Sequence, residues 1–302
     1  MQSRLPRKIE IHEVVLRDGI QNEKKLVSTD QKIKLINALT DCGVRRIEVS
    51  SFVNPRLVPQ MADAERLWSM VRKRKGVVYA ALVLNEKGLE RAIRCGVRQV
   101  GIYVSASETH SRKNSNASTT EAMREARLLI ERARSAGMEV RAGVMNAFGC
   151  AYEGNVPQAK VIKLMKDFLK NEPDEICLAD TSGMANPVQI GKLVKRAREV
   201  VGAVPLSLHL HNTRGLGLAN VWSAINGGVS IFDTSLGGLG GCPFIIGARG
   251  NIATEDTVNM LHETGIETGI SLDMLIEASL RFERYMGQKF PAMVSHLTRS
   301  HP

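Results

Sequence analysis

A chain of 302 residues with 43% hydrophobic and 24% charged residues can bury a sizeable core and has the makeup of an ordinary globular protein. No apolar run approaches the ~20 residues needed to cross a bilayer, and aromatics at 4% are too sparse for a platform that stacks single-stranded nucleic acid. The formal charge of +10 admits an anionic partner, but its basic clusters (70–76, 91–99 and 192–200) are dispersed, which suits solvated helix faces or a phosphate-bearing coenzyme better than a nucleic-acid face.

From the N-terminus, short β-branched or apolar runs alternate with longer amphipathic ones. The opening residues lack an apolar leader and pass straight into IEIHEVVLRD (9–18), so no cleaved signal is expected, and the final SHLTRSHP carries no sorting signal. A helix over 28–43 follows, which Ser28 or Thr29 can cap and Gly43 can close. Next come the strand-like runs 46–52, 77–84 and 99–107, separated by helical stretches at 58–74 and 85–96. A helix over 118–137 leads to a strand at 139–148, and one over 156–171 leads to EICLADTSG (175–183). The stretch 185–202 precedes PLSLHLHNT (205–213), 215–228 precedes IFDTSLGGL (231–239), and a helix over 253–265 completes the alternation.

Eight strand–helix units in one chain of this size predict an α/β fold, a closed (β/α)8 TIM barrel. A doubly wound open sheet is the other arrangement of such units, but no GxGxxG follows the first strand. Residues 271–287 read as an additional C-terminal helix packed on the barrel, and no linker or composition break divides the single catalytic domain expected over 1–302. Five scattered cysteines without a CxxC suit reduced thiols in a cytoplasmic protein.

Polar residues collect at the C-terminal ends of the strands, where barrels of this kind place their catalytic groups. Arg17 and Asp18 end the first strand, Glu48, Ser50 and Ser51 lie on the second, and Asn85 follows the third. Asp180 ends the sixth, His209 and His211 the seventh, and Cys242, Asn251 and Glu255 lie in or after the glycine-rich loop beyond the eighth. His209 and His211 are two apart in a strand-like run and so share a face. They are either a hydrogen-bonded structural pair or metal ligands. In a closed ring of eight, the first and seventh strands are separated only by the eighth, so Asp18 approaches from beside the pair and Asn251 from the loop above. Two imidazoles, a carboxylate and an amide oxygen favour octahedral Mg2+ or Mn2+, and tetrahedral Zn2+ stays open. On an extended segment Arg17 would face away from Asp18, and a sharp bend at Gly19 could bring both into the mouth, where a permanent cation can hold an enolate oxygen. Cys242, in GLGGCP, is either a buried thiol or one delivered by a closing loop.

The stretches RDGIQNEK (17–24), IEVSSF (47–52), VPQMAD (58–63), GCAYEG (149–154), LHLHNT (208–213), GGLGGCP (237–243) and GNIATED (250–256), in this order, resemble the 3-hydroxy-3-methylglutaryl-CoA lyase family. The likeness runs from about residue 8 to about residue 287. It implies Asp18, His209, His211 and Asn251 as ligands of a divalent cation, Arg17 facing the enolate, Cys242 as the loop thiol and Glu48 supporting the metal shell. Gln21, Ser51, Asn85, Asp180 and Glu255 stand near the site as substrate-binding or supporting residues. The implied reaction splits 3-hydroxy-3-methylglutaryl-CoA into acetyl-CoA and acetoacetate, a step of leucine degradation, in a homo-oligomer with an acyl-CoA substrate, no nucleic acid and no membrane. Asp18, a histidine or a bound water is the base. Departures surround the pocket: EVVLRD where a GPRD-type ending is common, Ala179 where glycine is usual, and Asn212 where aspartate is frequent. They keep open citramalyl-CoA, a longer 3-hydroxyglutaryl-CoA, or a Claisen condensation or aldol reaction on the same barrel.

Overall fold

Short parallel strands pair in chain order and close into a ring of eight in a computed structural model, which describes residues 5–241 and 250–297. They are β1 (Glu10–Glu13), β2 (Arg46–Ser51), β3 (Val78–Leu82), β4 (Gln99–Ser105), β5 (Glu139–Met145), β6 (Glu175–Ala179), β7 (Leu206–His209) and β8 (Ile231–Thr234). β1 pairs with both β2 and β8, which leaves no edge and makes the fold the expected (β/α)8 barrel. The helices outside it are α1 (Thr29–Asp41), α2 (Ala64–Met70), α3 (Glu86–Arg94), α4 (Glu108–Ser115) and α5 (Thr119–Ser135). They continue with α6 (Gln158–Leu169), α7 (Pro187–Val201), α8 (Gly217–Asn226), α9 (Thr254–Glu263) and α10 (Leu272–Met286), the last packing on α1 and α9.

Local chemistry sets these boundaries. Ser28, not Thr29, caps α1 by accepting the Gln31 N–H, and Ser118 and Glu121 form a reciprocal capping box on α5. Along α5, Met123, Ala126, Ile130 and Ala133 make the buried stripe that seats the helix on the barrel. Two stretches differ from the sequence reading. The helix expected over 58–74 is a 3-10 turn at Pro59–Met61 followed by the shorter α2, which ends at Val71 in extended conformation. The helix α4 was not expected, because ETHSRKNS has little apolar periodicity; the Ser107 side chain nucleates it by accepting the His110 N–H.

β1 is also shorter than its run. At Val15–Gly19 the chain turns into a single π-helical turn. Glu13 explains the turn: one carboxylate oxygen accepts the N–H groups of both Val15 and Leu236, at 2.9 Å each, so the side chain competes with the strand ladder. Its other oxygen accepts the Thr254 hydroxyl at 2.6 Å, and Thr254 in turn meets Thr234 at 2.7 Å. Burial pushes the Glu13 carboxyl from its ordinary 4.5 to about 8 against the pull of these hydrogen bonds. Between about 4.5 and about 8 the fold therefore holds a proton that the unfolded chain has released, so this group's contribution makes stability fall as pH rises through that interval. Glu13→Gln, which mimics the neutral acid, is expected to melt a few degrees above the parent at pH 8 and to coincide with it near pH 4.5, by calorimetry. The same difference at both pH values would count against an ionising Glu13.

The barrel interior is ionic where aliphatic layers are usual. Arg141 on β5 donates to both oxygens of Asp233 on β8, at 2.6 and 3.0 Å, to Glu175 on β6 at 2.6 Å, and to Ser207 on β7 at 2.9 Å. Arg46 on β2 binds the other Glu175 oxygen at 2.5 Å, and His12 on β1 lies 3.3 Å from Asp233. These residues face inward because the ring allows such cross-barrel pairs nowhere else.

Of the two readings of the basic clusters, their place in the fold favours solvated helix faces. Helices of this fold run antiparallel to the strands, so 70–76 before β3, 91–99 before β4 and the C-terminal half of α7 lie toward the end opposite the mouth. Arg72, Lys73, Arg74, Lys195 and Arg196 are exposed there, which fits solvated helix faces and not a coenzyme site. No helix among the described residues is long and apolar enough to cross a membrane, and Cys42, Cys95, Cys150 and Cys177 are free.

Candidate metal centre and active site

Four chain segments meet at the mouth. The π-helical turn after β1 carries Arg17 and Asp18 to the same side, an outcome an extended strand would forbid. Gly19 contributes room and not the bend itself, since a Cβ there would lie 2.6 Å from the Ser235 hydroxyl. β7 ends at His209, and His211 lies beyond it in an isolated bridge with Asn251. That bridge, fixed by the Asn212 N–H on the Gly250 carbonyl at 2.8 Å, is what brings Asn251 in.

His209 Nε2 and His211 Nε2 are 3.0 Å apart, and Asp18 Oδ2 lies 3.9 Å from the first and 4.0 Å from the second. Asp18, His209 and His211 thus form a group able to hold a metal ion. Neighbouring ligands of an octahedral ion with bonds of ~2.1 Å stand about 3 Å apart, so the triangle is close to that scale. Asn251 donates its amide N–H to Asp18 Oδ2 at 2.7 Å and to the Leu239 carbonyl at 3.0 Å, while its Oδ1 is buried without a partner among the described residues. An orphaned amide oxygen beside facing imidazole nitrogens suits a hard cation.

Charge is arranged to keep these groups in ligand form. Burial would raise the Asp18 carboxyl, but Arg17, the two histidines and the Asn251 amide hold it well below the usual carboxylate range. Burial and the neighbouring His209 lower His211 to about 4, so it is neutral at physiological pH. For His209, burial is outweighed by the hydrogen bond to Asp233 and the charge of Asp18, which raise its pKa. That hydrogen bond, His209 Nδ1 to Asp233 Oδ2 at 3.0 Å, turns Nε2 toward the triangle. Arg17 donates from Nε to Glu48 at 2.5 Å and from Nη1 to Asp18 at 2.5 Å, so Glu48 orients the arginine and does not join the triangle.

The remaining expected residues do not join the triangle. Asn85 is exposed and caps α3 through the Gly88 N–H at 2.9 Å. Asp180 folds the turn after β6 by accepting the N–H groups of Met184 and Ala185, and burial raises it to about 7 against those bonds. Glu255, in the first turn of α9, accepts the Gly237 N–H at 2.9 and 3.0 Å and is raised by burial to about 7; it shapes the loop after β8. Ser51 is buried on β2 with its hydroxyl unpartnered among the described residues, and Gln21 is half-buried in the turn after Gly19. Cys242 lies outside the described residues. Sequence reasoning missed Asp233, Arg141, Glu175, Arg46 and His12. Their signal was a polar residue at every second position of several strands, as in Glu10 and His12 or Ser207 and His209.

The family model described as HMGL-like matches residues 8–280. The chain is 41% identical over 287 residues to hydroxymethylglutaryl-CoA lyase YngG of Bacillus subtilis, covering 95% of this chain and 96% of that protein. It is 41% identical over 294 residues to the mitochondrial hydroxymethylglutaryl-CoA lyase of Homo sapiens, covering 97% of this chain and 90% of that protein. Among solved structures, an HMG-CoA lyase from Acinetobacter baumannii in complex with coenzyme A and 3-methylmalate matches with a TM-score of 0.94 at 39% identity, covering 98% of each chain.

Proposed function

Because this chain belongs to the HMGL-like family, we propose that it cleaves 3-hydroxy-3-methylglutaryl-CoA to acetyl-CoA and acetoacetate by a divalent-cation-dependent retro-Claisen reaction. The observation that carries the reading is the meeting of Asp18, His209 and His211 beside a buried guanidinium. Residues 1–302 serve as one catalytic domain, with α10 packed on it, in a cytoplasmic homo-oligomer.

Asp18, His209, His211 and the Asn251 amide oxygen would hold Mg2+ or Mn2+, which supplies Lewis acidity to the tertiary hydroxyl of the substrate. Ionised Asp18 is the proton acceptor that stands there at neutral pH, since the single lone pair of neutral His211 is committed to the cation. Loss of the hydroxyl proton turns C3 into the ketone carbon of acetoacetate as the C2–C3 bond breaks. The electron pair moves to the thioester enolate, where Arg17, held by Glu48, meets the developing negative charge. Cys242 is the proposed donor that returns a proton to C2 and completes acetyl-CoA. The coenzyme's phosphates fit the exposed cations at the mouth, Lys24, Arg56 and Arg214 on loops and Lys113 on α4, in place of the clusters at the far end.

A chelator is expected to abolish acetyl-CoA release, and Mg2+ or Mn2+ to restore it. His211→Ala is expected to weaken Mn2+ binding by at least about 100-fold in calorimetry. Acetyl-CoA release should be followed from this thioester, from citramalyl-CoA and from a longer 3-hydroxyglutaryl-CoA, against acetyl-CoA consumption with 2-oxo acids. Activity insensitive to the chelator, or consumption alone, would overturn the reading.

A further inference from the structure

Tyr103 has no part in the site so far described, yet two adjacent strands are built around it. On β4 the residues Val100, Ile102 and Val104 are buried in the apolar core, so Gln99, Gly101, Tyr103 and Ser105 take the opposite, inward face. On β5 the inward set contains Arg141, whose cross-barrel bonds fix its direction, and hence Gly143. Tyr103 and Gly143 are register partners, as are Gly101 and Arg141. A Cβ on Gly143 would fall among the Tyr103 ring atoms, and one on Gly101 would lie 2.9 Å from Cε2 of the same ring. Neither glycine has a positive φ, so both serve as space for the ring and not as turn formers.

In the ring of eight, β4 stands opposite β8, the strand whose following segment carries Asn251, and the inward face of β4 turns the phenol into the barrel between them. Its side chain stays partly exposed, and its hydroxyl has no hydrogen-bond partner among the described residues. Arg17, Glu48 and Arg141 lie within electrostatic range of it, the first being the group proposed to meet the enolate. Burial pushes the phenol well above its ordinary ionisation range, so it remains an O–H donor. An aromatic body with an unused donor is suited to a ligand that is apolar at one side and bears oxygen at the other.

We propose that Tyr103 is a substrate-contacting, specificity-determining residue: its ring, lying on Gly143 and Gly101, walls the pocket for the C3 substituent, and its hydroxyl donates to a substrate oxygen on the Arg17 side. The inference rests on the proposed reading of the site and specifies its acyl pocket. A mere filler of the barrel would tolerate loss of the hydroxyl alone. Tyr103→Phe is expected to lower kcat/KM by about 10-fold or more, the scale of a hydrogen bond to a charged group, with Mn2+ affinity and melting temperature unchanged. Tyr103→Ala is expected to raise the ratio of kcat/KM for a thioester with a bulkier C3 substituent over the C3-methyl thioester by about 10-fold. Binding of free 3-hydroxy-3-methylglutarate to the Mn2+-loaded protein, measured by calorimetry, should weaken in Tyr103→Phe. Parental kinetics and binding in Tyr103→Phe, or an unchanged ratio in a folded Tyr103→Ala, would overturn the assignment. If the parent cleaves another thioester instead, the substrate reading fails while the variants are judged on that thioester. If it cleaves none, the calorimetric comparison alone decides the role of Tyr103.

Discussion

Arg17→Met is expected to lower turnover by about 10²- to 10³-fold with KM little changed, because the guanidinium is matched to charge that exists only once the carbon–carbon bond is breaking. Its Nε and Nη1 are taken by Glu48 and Asp18, while Nη2 has no hydrogen-bond partner among the described residues and is left for a developing oxyanion. Methionine keeps the length of the side chain and removes only the cation and its donors. A second effect has to be separated from the first. The Glu48 side chain is 3% exposed, so removing Arg17 leaves a buried carboxylate unpaired, which costs several kcal/mol or forces it to take up a proton. The double variant Arg17→Met with Glu48→Gln is therefore expected to regain thermal stability and not turnover. Near-normal turnover in a folded Arg17→Met, or its return in the double variant, would remove the enolate role.

The parts of this site that could be read from the sequence are those fixed by local backbone geometry. His209 and His211 converge because the two-residue period survives even though β7 ends at the first of them. The barrel itself follows from the alternation of elements, since eight such units have few other ways to bury both faces of their strands. What escaped depends on partners distant in the chain. The turn that brings Arg17 round to Asp18 is held by Glu13, whose second partner, the Leu236 N–H, lies 223 residues away. A charged residue in a strand reads as solvent-facing until a ring closes over it, which is why Arg141 and Asp233 gave no signal as a pair, being 92 residues apart. Asn85 and Glu255 show how local backbone chemistry competes for side chains at the mouth. Both stand where catalytic groups collect, yet the backbone groups nearest them, the Gly88 and Gly237 N–H, claim their side chains.

Asp233 offers the strongest test of how the ionic interior reaches the metal centre, and Asp233→Asn is expected to weaken Mn2+ binding by about 10- to 100-fold. The carboxylate accepts from Arg141 through both oxygens and also meets His209 Nδ1. An acceptor at that position keeps the imidazole proton on Nδ1 and leaves the Nε2 lone pair for the cation. Arg141 faces both positions, but its bond to Oδ1 is the shorter, 2.6 against 3.0 Å, so the asparagine oxygen is drawn to the Oδ1 position and the NH2 takes the Oδ2 position, facing His209. Nδ1 then has to accept, the proton moves to Nε2, and an N–H faces the triangle in place of a lone pair. Asp233→Ala removes the acceptor altogether and leaves Arg141 with Glu175 as its one carboxylate, so about 3–5 kcal/mol of stability should be lost as well. Melting the metal-free proteins separates the two effects: the asparagine variant should lose affinity far out of proportion to its stability. Parental Mn2+ affinity in that variant would show that Asp233 only holds the barrel together.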